Sequence, residues 1–387
     1  MIRIEDKCTC CGCGACASLC PKHCISMRMD GEGFLYPNVV ESECVHCGIC
    51  TKCCPVLQKE EGETVETPLA YVAYHEDIHT RLQSSSGGIF SLLAQTVLSE
   101  NGLVFGAAFD ETFHVHHIGI SSEKELYKLR GSKYIQSRMG DVYEKVKRAL
   151  DSGKKVLFTG TACQIAGINN YLGKEYDNLI TADVLCHGVP SANVWQKYLD
   201  EQQAENHSKI KEIYFRHKSS GWKHYSFMMQ FENGKVYTEG YEKNTFMKLF
   251  LSDICLRPSC HHCKFKGISR CSDITMGDAW GVESYMPEMD DDKGTSVLLI
   301  HTEKGKKLFD EINENLVYRQ ADINQLLPPA SAARRPVLPH IFRSKFFRQM
   351  QKGKSIRELS LMTRTNLFSI LYDKGRKMVN KKYRCFL

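Results

Sequence analysis

Cysteines near the beginning of the chain recur at a spacing that can hold iron–sulfur clusters. The phrase Cys-x2-Cys-x2-Cys-x3-Cys-Pro occurs twice, ending at Pro21 and at Pro55. A [4Fe–4S] cluster needs four thiolates; two-residue spacers let one loop supply three, and a second phrase of the same kind can supply the fourth. This crossed assignment defines a first cysteine group, Cys10, Cys13, Cys16 and Cys54, and a second cysteine group, Cys44, Cys47, Cys50 and Cys20.

Zinc and disulfides are the competing interpretations of this repeat. Zinc sites use CxxC pairs, but they need neither a third cysteine at the same spacing nor a repeated phrase. Disulfide scaffolds are typical of small secreted chains. The repeat resembles the bacterial-type ferredoxin domain with two [4Fe–4S] clusters, which we expect over residues 1–60.

A further set of cysteines follows later in the chain. Its spacing is Cys255-x4-Cys260-x2-Cys263-x7-Cys271. Four thiols are enough for another iron–sulfur cluster, and zinc is an alternative because a CxxC pair with distant partners also suits zinc. Spacing alone leaves open which four thiols bind a metal.

Three loops have the composition of ligand-binding turns, at residues 84–88, 160–164 and 186–191. Loops at the carboxyl ends of parallel strands offer backbone amides to phosphate groups, so we expect at least two of these loops to converge on one crevice. The sequence has no GxGxxG and no Walker motif, so neither standard nucleotide site is supported.

The elements that must position these loops follow from the apolar pattern. Short apolar strands alternate with helical stretches, which indicates an α/β architecture, and consecutive strands in the second half predict a mixed sheet. The predicted strands are 69–74, 103–109, 115–120, 155–159, 179–185, 210–215, 225–231, 274–276 and 296–301, and the predicted helices are 89–100, 139–151, 164–172, 194–203 and 304–315.

Seven short segments form a recognisable set. They are Ser84-Ser85-Ser86-Gly87-Gly88-Ile89-Phe90, Val104-Phe105-Gly106-Ala107, Arg130-Gly131-Ser132-Lys133-Tyr134, Gly160-Thr161-Ala162-Cys163-Gln164, Leu185-Cys186-His187-Gly188, Cys260-His261-His262-Cys263 and Ser272-Asp273-Ile274-Thr275-Met276-Gly277-Asp278. Over roughly residues 69–302 they resemble the family of coenzyme F420 hydrogenase/dehydrogenase beta subunits. The resemblance implies an FAD-binding α/β domain with one further [4Fe–4S] cluster close to the flavin.

The resemblance also implies site residues. It favours Cys163, Cys186, Cys260 and Cys263 as a third cysteine group over a set that includes Cys255 and Cys271, although Ala162 stands where the family has proline. Implied cofactor contacts are Ser85, Ser86, Gly87, Gly88, Gly160, Thr161 and Gln164, with Lys133 as a cationic partner of phosphate or of the reduced flavin ring. An ordinary surface lysine is the alternative for Lys133.

Chemistry at a flavin usually needs a proton source. His187 is the candidate catalytic residue because it adjoins Cys186 and because histidine titrates near neutral pH. A purely structural hydrogen-bonding role is the alternative. Asp278 and Trp280 mark a second region that we expect to face the crevice.

The end of the chain is strongly basic. Residues 334–387 carry 15 Lys and Arg against 2 acidic residues, a charge of +13, whereas the whole chain carries +6. We predict a helical extension that packs on the body; contact with an acidic partner or an anionic membrane surface is the alternative. No nucleic-acid partner is expected, because no nucleic-acid-binding motif is present.

The compartment is predicted from the N-terminus and from the hydropathy. The first residues lack the apolar core of a signal peptide, and no apolar run approaches a membrane span. We therefore expect a cytoplasmic protein whose 19 cysteines stay reduced.

Two functions follow. The first is an FAD- and [4Fe–4S]-dependent oxidoreductase that passes electrons from a ferredoxin-type donor to an organic acceptor, F420-like or other. The alternative is a non-catalytic subunit that delivers electrons to a partner enzyme. The predicted organisation is a small ferredoxin domain (1–60), a linker (61–68), a mixed-sheet α/β flavin and iron–sulfur domain (69–330), and a basic helical extension (331–387).

Overall fold

A computed structural model describes residues 1–58 and 67–363 of the chain. The strands in these ranges are β1 (Ile25–Met29), β2 (Leu35–Val39), β3 (Leu69–His75), β4 (Leu103–Phe109), β5 (Val115–Ile120), β6 (Val156–Thr161), β7 (Leu179–Val184), β8 (Ile210–His217), β9 (Ser226–Phe231), β10 (Val236–Gly240), β11 (Ile274–Asp278), β12 (Ser296–Ile300) and β13 (Leu316–Gln320). The helices are α1 (Ala15–Ser18), α2 (Ile49–Lys52), α3 (Pro55–Gln58), α4 (Ile78–Leu82), α5 (Ile89–Ser99), α6 (Leu126–Leu129), α7 (Val142–Asp151), α8 (Ala162–Leu172), α9 (Ala192–Asn206), α10 (Thr245–Leu251), α11 (Glu303–Ile312), α12 (Ile323–Leu326), α13 (Arg343–Gln351) and α14 (Ile356–Ser360).

An eight-stranded mixed sheet forms the centre of the molecule, in the order β13-β3-β12-β11-β7-β6-β4-β5. Strands β4, β6, β7 and β11 are mutually parallel, whereas β12 runs antiparallel to both β11 and β3. Strand β3 therefore points the same way as the parallel strands. The loops that follow β3, β6, β7 and β11 consequently lie along one edge of the sheet, which we call the carboxyl edge.

Apolar burial explains why these segments form the sheet and its covering helices. Val156, Leu157 and Phe158 of β6 are completely buried, as expected for a central strand covered on both faces. Helix α7 buries Val142, Tyr143, Val146, Ala149 and Leu150, a helical spacing that defines one apolar stripe. This stripe packs in the same core as β1 and the N-terminal cysteines.

A smaller antiparallel sheet, β10-β9-β8, packs with α9 and α10 into a separate apolar core. The described part of the basic extension joins this core: Phe346 and Phe347 of α13 and Ile356 and Leu359 of α14 are buried in it. Up to residue 363, the extension thus packs on the body. Residues 364–387, which carry the rest of its charge, lie outside the described residues.

The predicted mixed α/β fold is confirmed. All nine predicted strands are present, and the five predicted helices are present with ends that differ by a few residues. Strands β1, β2, β10 and β13 and helix α10 were not predicted. Most of the predicted linker, residues 61–66, lies outside the described residues. Among the described residues, no helix combines the length and the apolarity needed to cross a membrane.

Candidate functional site

The duplicated cysteine phrase is duplicated in the backbone as well. Gly12 and His46, at equivalent positions of the two phrases, both have positive φ, at 73° and 52°. Two residues later Gly14 and Gly48 again match, at 80° and 75°. Each of these glycines precedes a one-turn helix, α1 or α2. The repeated spacing therefore encodes a repeated turn.

The first cysteine group lies between the N-terminal region and the body. Its four cysteines are all at most 9% exposed. Burial raises the pKa of the Cys16 thiol, and the neighbouring Cys10, Cys53 and Cys54 raise it further. Cys54 therefore lies beside thiols of the first phrase, as the crossed assignment requires. The Tyr143 hydroxyl donates to the Cys13 carbonyl at 3.0 Å, which ties this group to α7.

The second cysteine group lies farther out. Its four cysteines, together with Cys24, line one cavity. The sulfur of Cys24 is 3.4 Å from that of Cys20. Cys47 is exposed, so this cavity reaches the protein surface.

The third cysteine group converges on a cavity at the carboxyl edge, although its members are far apart in sequence. Cys163 follows β6, Cys186 follows β7, and Cys260 and Cys263 come from a short 3-10 turn. Burial raises the pKa of the Cys186 thiol to about 12 and also raises the pKa values of Cys260 and Cys263. These thiols are therefore neutral until a metal displaces their protons.

The two competing cysteines lie elsewhere. Cys255 is completely buried in the apolar core beside α10, and Cys271 is exposed, with its sulfur 4.0 Å from the Ala162 carbonyl. Cys8 and Cys11, which the sequence left without a role, do line the third cavity. Across the described ranges, no three His, Cys, Asp or Glu side chains are grouped closely enough to hold a single metal ion.

Residues 160–164 hold Cys163 in place. Thr161 and Gln164 form a capping box at the start of α8, in which the Gln164 side-chain oxygen accepts from the Thr161 amide at 2.9 Å. The Thr161 hydroxyl lies 3.2 Å from the Cys163 sulfur. Ala162 is the first residue of α8, a position that also suits proline, so the departure from the family phrase leaves the turn intact.

The serine and glycine loop at residues 84–88 lies on the same carboxyl edge. The Ser85 hydroxyl accepts from the Ser132 amide at 2.7 Å, and the Gly87 amide donates to the Ser296 hydroxyl at 2.9 Å. Gly88 caps α5 with φ of 91°. Ser86 donates to the Thr295 carbonyl at 3.0 Å. The structure thus joins residues 84–88 to the loop that carries Lys133.

Lys133 and Arg216 differ in how their donors are occupied. The Lys133 ammonium donates to the carbonyls of Leu129, Arg130 and Gly131 at 3.1–3.4 Å, and burial lowers its pKa to about 7. Arg216, at the end of β8, pairs with Asp278 through Nη1, while its buried Nε and Nη2 have no hydrogen-bond partner. No sequence motif marks Arg216; its only signal is its position at the end of a buried strand.

Aromatic contacts connect the Lys133 loop with the third cysteine group. Tyr134 stacks on Phe250 with ring centroids 4.8 Å apart, and Phe250 contacts the His187 ring edge to face at 5.2 Å. His187 Nε2 lies 2.7 Å from a carboxylate oxygen of Asp253. Of the predicted residues, His187 and Cys186 are therefore within one side-chain contact of the Lys133 loop.

Asp278 and Trp280 form a second polar and aromatic cluster. Asp278 pairs with Arg216 and accepts from the Trp222 indole at 3.0 Å. Trp280 is 49% exposed and stacks on Trp222 with centroids 4.6 Å apart. Asp278 therefore fixes Arg216 and Trp222, and its carboxylate is an ion-pair partner.

Comparisons with known proteins bear on this arrangement. Residues 153–325 match the family described as coenzyme F420 hydrogenase/dehydrogenase, C terminus of the beta subunit. The F chain of the F(420)H(2) dehydrogenase of Methanosarcina mazei, one of its subunits, is 22% identical over 323 residues, covering 79% of this chain and 83% of that protein. An uncharacterized protein of Methanocaldococcus jannaschii is 24% identical over 349 residues, covering 79% of this chain and 87% of its own length. A chain of the F420-reducing [NiFe] hydrogenase complex from Methanosarcina barkeri aligns with a TM-score of 0.46 and 18% identity, over 68% of this chain and 85% of that chain.

Proposed function

Because residues 153–325 belong to the family of coenzyme F420 hydrogenase/dehydrogenase beta subunits, we propose that this chain is an FAD- and [4Fe–4S]-dependent oxidoreductase. It accepts electrons from a ferredoxin-type donor and passes them through clusters and FAD to an organic acceptor, F420-like or other. The first and second cysteine groups form a two-cluster ferredoxin domain. The third cysteine group holds a further cluster.

The order of the three cysteine groups is the observation that supports this proposal most. The Cys11 thiol is within hydrogen-bonding reach of both Cys13 and Cys163, so the first group adjoins the third. Helices α1 and α2 pack against each other and bring the second group beside the first. The exposed Cys47 places the second group at the outer end. A protein donor would therefore meet the second group before the others.

FAD would supply the conversion between one-electron carriers and a two-electron acceptor. The chain's own residues fit such a cofactor on the carboxyl edge. The loop at residues 84–88 and the turn at 160–164 approach the edge with small side chains, and Arg216 offers unpartnered donors there. His187 is positioned to move a proton through Nε2, with Asp253 orienting its ring.

The alternative is a non-catalytic electron-transfer subunit. Two observations favour it: the Methanosarcina mazei relative is named as a dehydrogenase subunit, and the half-exposed Trp280 leaves an aromatic surface near Arg216. In that case a partner enzyme receives the electrons at the carboxyl edge.

The test uses the anaerobically prepared full chain, reduced ferredoxin as the donor and F420 as the probe acceptor. We expect flavin absorbance to bleach when reduced ferredoxin is added. Cys163→Ser should block bleaching because it removes a thiol of the third group, whereas Cys271→Ser is the matched control at the rim. Recovery of flavin absorbance on adding F420 identifies an F420-like acceptor; bleaching without recovery excludes F420. A chain that binds iron but no FAD contradicts the oxidoreductase and supports the alternative.

A further inference from the structure

Arg257 is the most deeply buried arginine of the described chain, with 0% exposure. Its guanidinium reaches into the N-terminal region: Nε donates to the Cys10 carbonyl at 2.8 Å and Nη2 to the Leu35 carbonyl at 2.8 Å. Nη1 donates to the Gln136 side-chain oxygen at 3.1 Å, and the group lies 4.3 Å from the Tyr36 ring centroid. All of these partners are uncharged.

The other buried arginines are treated differently. Arg81 pairs with Asp291, Arg216 with Asp278 and Arg270 with Asp183. Within residues 1–58 and 67–363, no Asp or Glu pairs with Arg257. A buried charge without a counter-ion is strongly destabilising, so the folded protein needs negative charge near Arg257 from another source.

The location of Arg257 identifies that source. Its charge acts on thiols of two cysteine groups: burial raises the pKa of Cys10, and Arg257 opposes that rise. For Cys163, the contact with Cys11 and burial raise the pKa, and Arg257 again opposes them. The Arg257 carbonyl also accepts from the Cys260 amide at 3.0 Å. Arg257 thus lies between the first and the third cysteine groups.

We propose that Arg257 is the shared counter-charge of the clusters held by the first and third cysteine groups, and that it raises the reduction potentials of both. The inference rests on the proposed function. Four thiolates give a [4Fe–4S] cluster a net negative charge, and reduction adds one more electron. A fixed positive charge nearby stabilises the reduced cluster more than the oxidised one, and net charge is a main determinant of cluster potential.

The experiment is an anaerobic redox titration of the full chain, followed by electron paramagnetic resonance. Arg257→Gln removes the charge. Gln136→Glu keeps Arg257 and its packing but sets a carboxylate against Nη1, so it cancels the charge without removing the side chain. Both variants should shift the reduction equilibrium of two clusters about tenfold toward the oxidised state, which is about 59 mV for a one-electron couple. The cluster of the second cysteine group should not shift.

Two controls separate charge from packing. Arg257→Lys keeps the charge and should leave the potentials within a few-fold of the wild type. Arg343→Gln alters the same interface, but Arg343 is already balanced by Glu32 and donates to the Leu256 carbonyl, so no potential should change.

Two results would overturn the inference. One is an iron-loaded Gln136→Glu or Arg257→Gln variant whose three potentials equal those of the wild type; the other is a shift of equal size in Arg343→Gln. If Arg257→Gln fails to assemble, Gln136→Glu alone decides. A wild-type chain without any cluster signal contradicts the proposed function, and the inference falls with it.

Discussion

At the scale of single residues, the two copies of the cysteine phrase differ in what surrounds them. Gly12 faces the body, where an added Cβ would lie 2.9 Å from Arg257 Nη1 and closer still to Gln136 Nε2. Gly48, in the second phrase, has no heavy atom within 4 Å of the same position. Both have positive φ, so the pair separates backbone strain from contact with the body.

We predict that Gly12→Ala destabilises the chain more than Gly48→Ala does. Left-handed strain costs each variant about 1–2 kcal/mol of unfolding free energy. Gly12→Ala must also push the N-terminal region away from Arg257, which we expect to add about 1–3 kcal/mol. Anaerobic thermal unfolding, with iron content measured in parallel, compares them. Equal losses in the two variants would show that the first phrase does not dock as the structure has it.

The cations at the carboxyl edge give a second prediction. Because the Lys133 ammonium is already occupied by three carbonyls while Arg216 has two unpartnered nitrogens, we expect Arg216 to bind the cofactor more strongly. A charge-assisted hydrogen bond is worth about 1.5–3 kcal/mol. Arg216→Gln should therefore raise the Kd of FAD about tenfold or more, and Lys133→Met should raise it less. Fluorescence titration measures both; the reverse order would restore Lys133 as the main cationic contact.

His187 gives a third prediction. If it delivers a proton, His187→Gln should slow acceptor reduction about 100-fold or more, while the iron content stays near that of the wild type. Asp253→Asn should slow it less, because the His187 ring is retained and only its orientation is weakened. Steady-state rates and iron analysis separate these effects. An unchanged rate in His187→Gln would leave this side chain a structural hydrogen-bonding role.

At the scale of secondary structure, the elements that carry the site were predictable and the elements at the edges were not. Strands β6, β7 and β11 are short buried apolar runs, so their pattern is strong and the loops after them were placed correctly on one edge. Strands β10 and β13 are edge strands with largely exposed or half-buried side chains, and they lack such a pattern.

The site itself shows the same division. Each N-terminal phrase is local, so its spacing could be interpreted from the sequence. Cys163, Cys186 and Cys260 meet only because β6 and β7 are parallel neighbours, and the family resemblance, not spacing, pointed to them. Arg257 and Arg216 were missed because a single arginine carries no pattern; their importance depends on burial and on which partners the fold provides.

The element scale also gives a prediction about the third cysteine group. Cys163→Ser or Cys260→Ser should remove about four iron atoms per chain, because each takes one thiol from the shared cavity. Cys255→Ser and Cys271→Ser should keep their iron, because Cys255 lies in the apolar core and Cys271 at the rim. Iron and sulfide assays on anaerobically purified variants test this. Loss of iron in the second pair, with retention in the first, would reverse the assignment.

At the scale of the whole molecule, the cysteine groups and the carboxyl edge form one continuous arrangement. The second group lies outermost, the first contacts the body through Tyr143 and Arg257, and the third faces the loops proposed to bind FAD. The described part of the basic extension packs through Phe346 and Phe347. Contact of the remaining extension with an acidic partner or an anionic surface stays a prediction.

The central claim is that three iron–sulfur clusters and one flavin share this chain, and metal and cofactor analysis of protein purified without oxygen tests it most directly. Iron, acid-labile sulfide, zinc and flavin are quantified on the same sample. The account predicts about twelve iron, about twelve sulfide and one FAD per chain, without zinc. About eight iron with one zinc would contradict the third cluster, and a colourless protein with neither iron nor flavin would contradict the account as a whole.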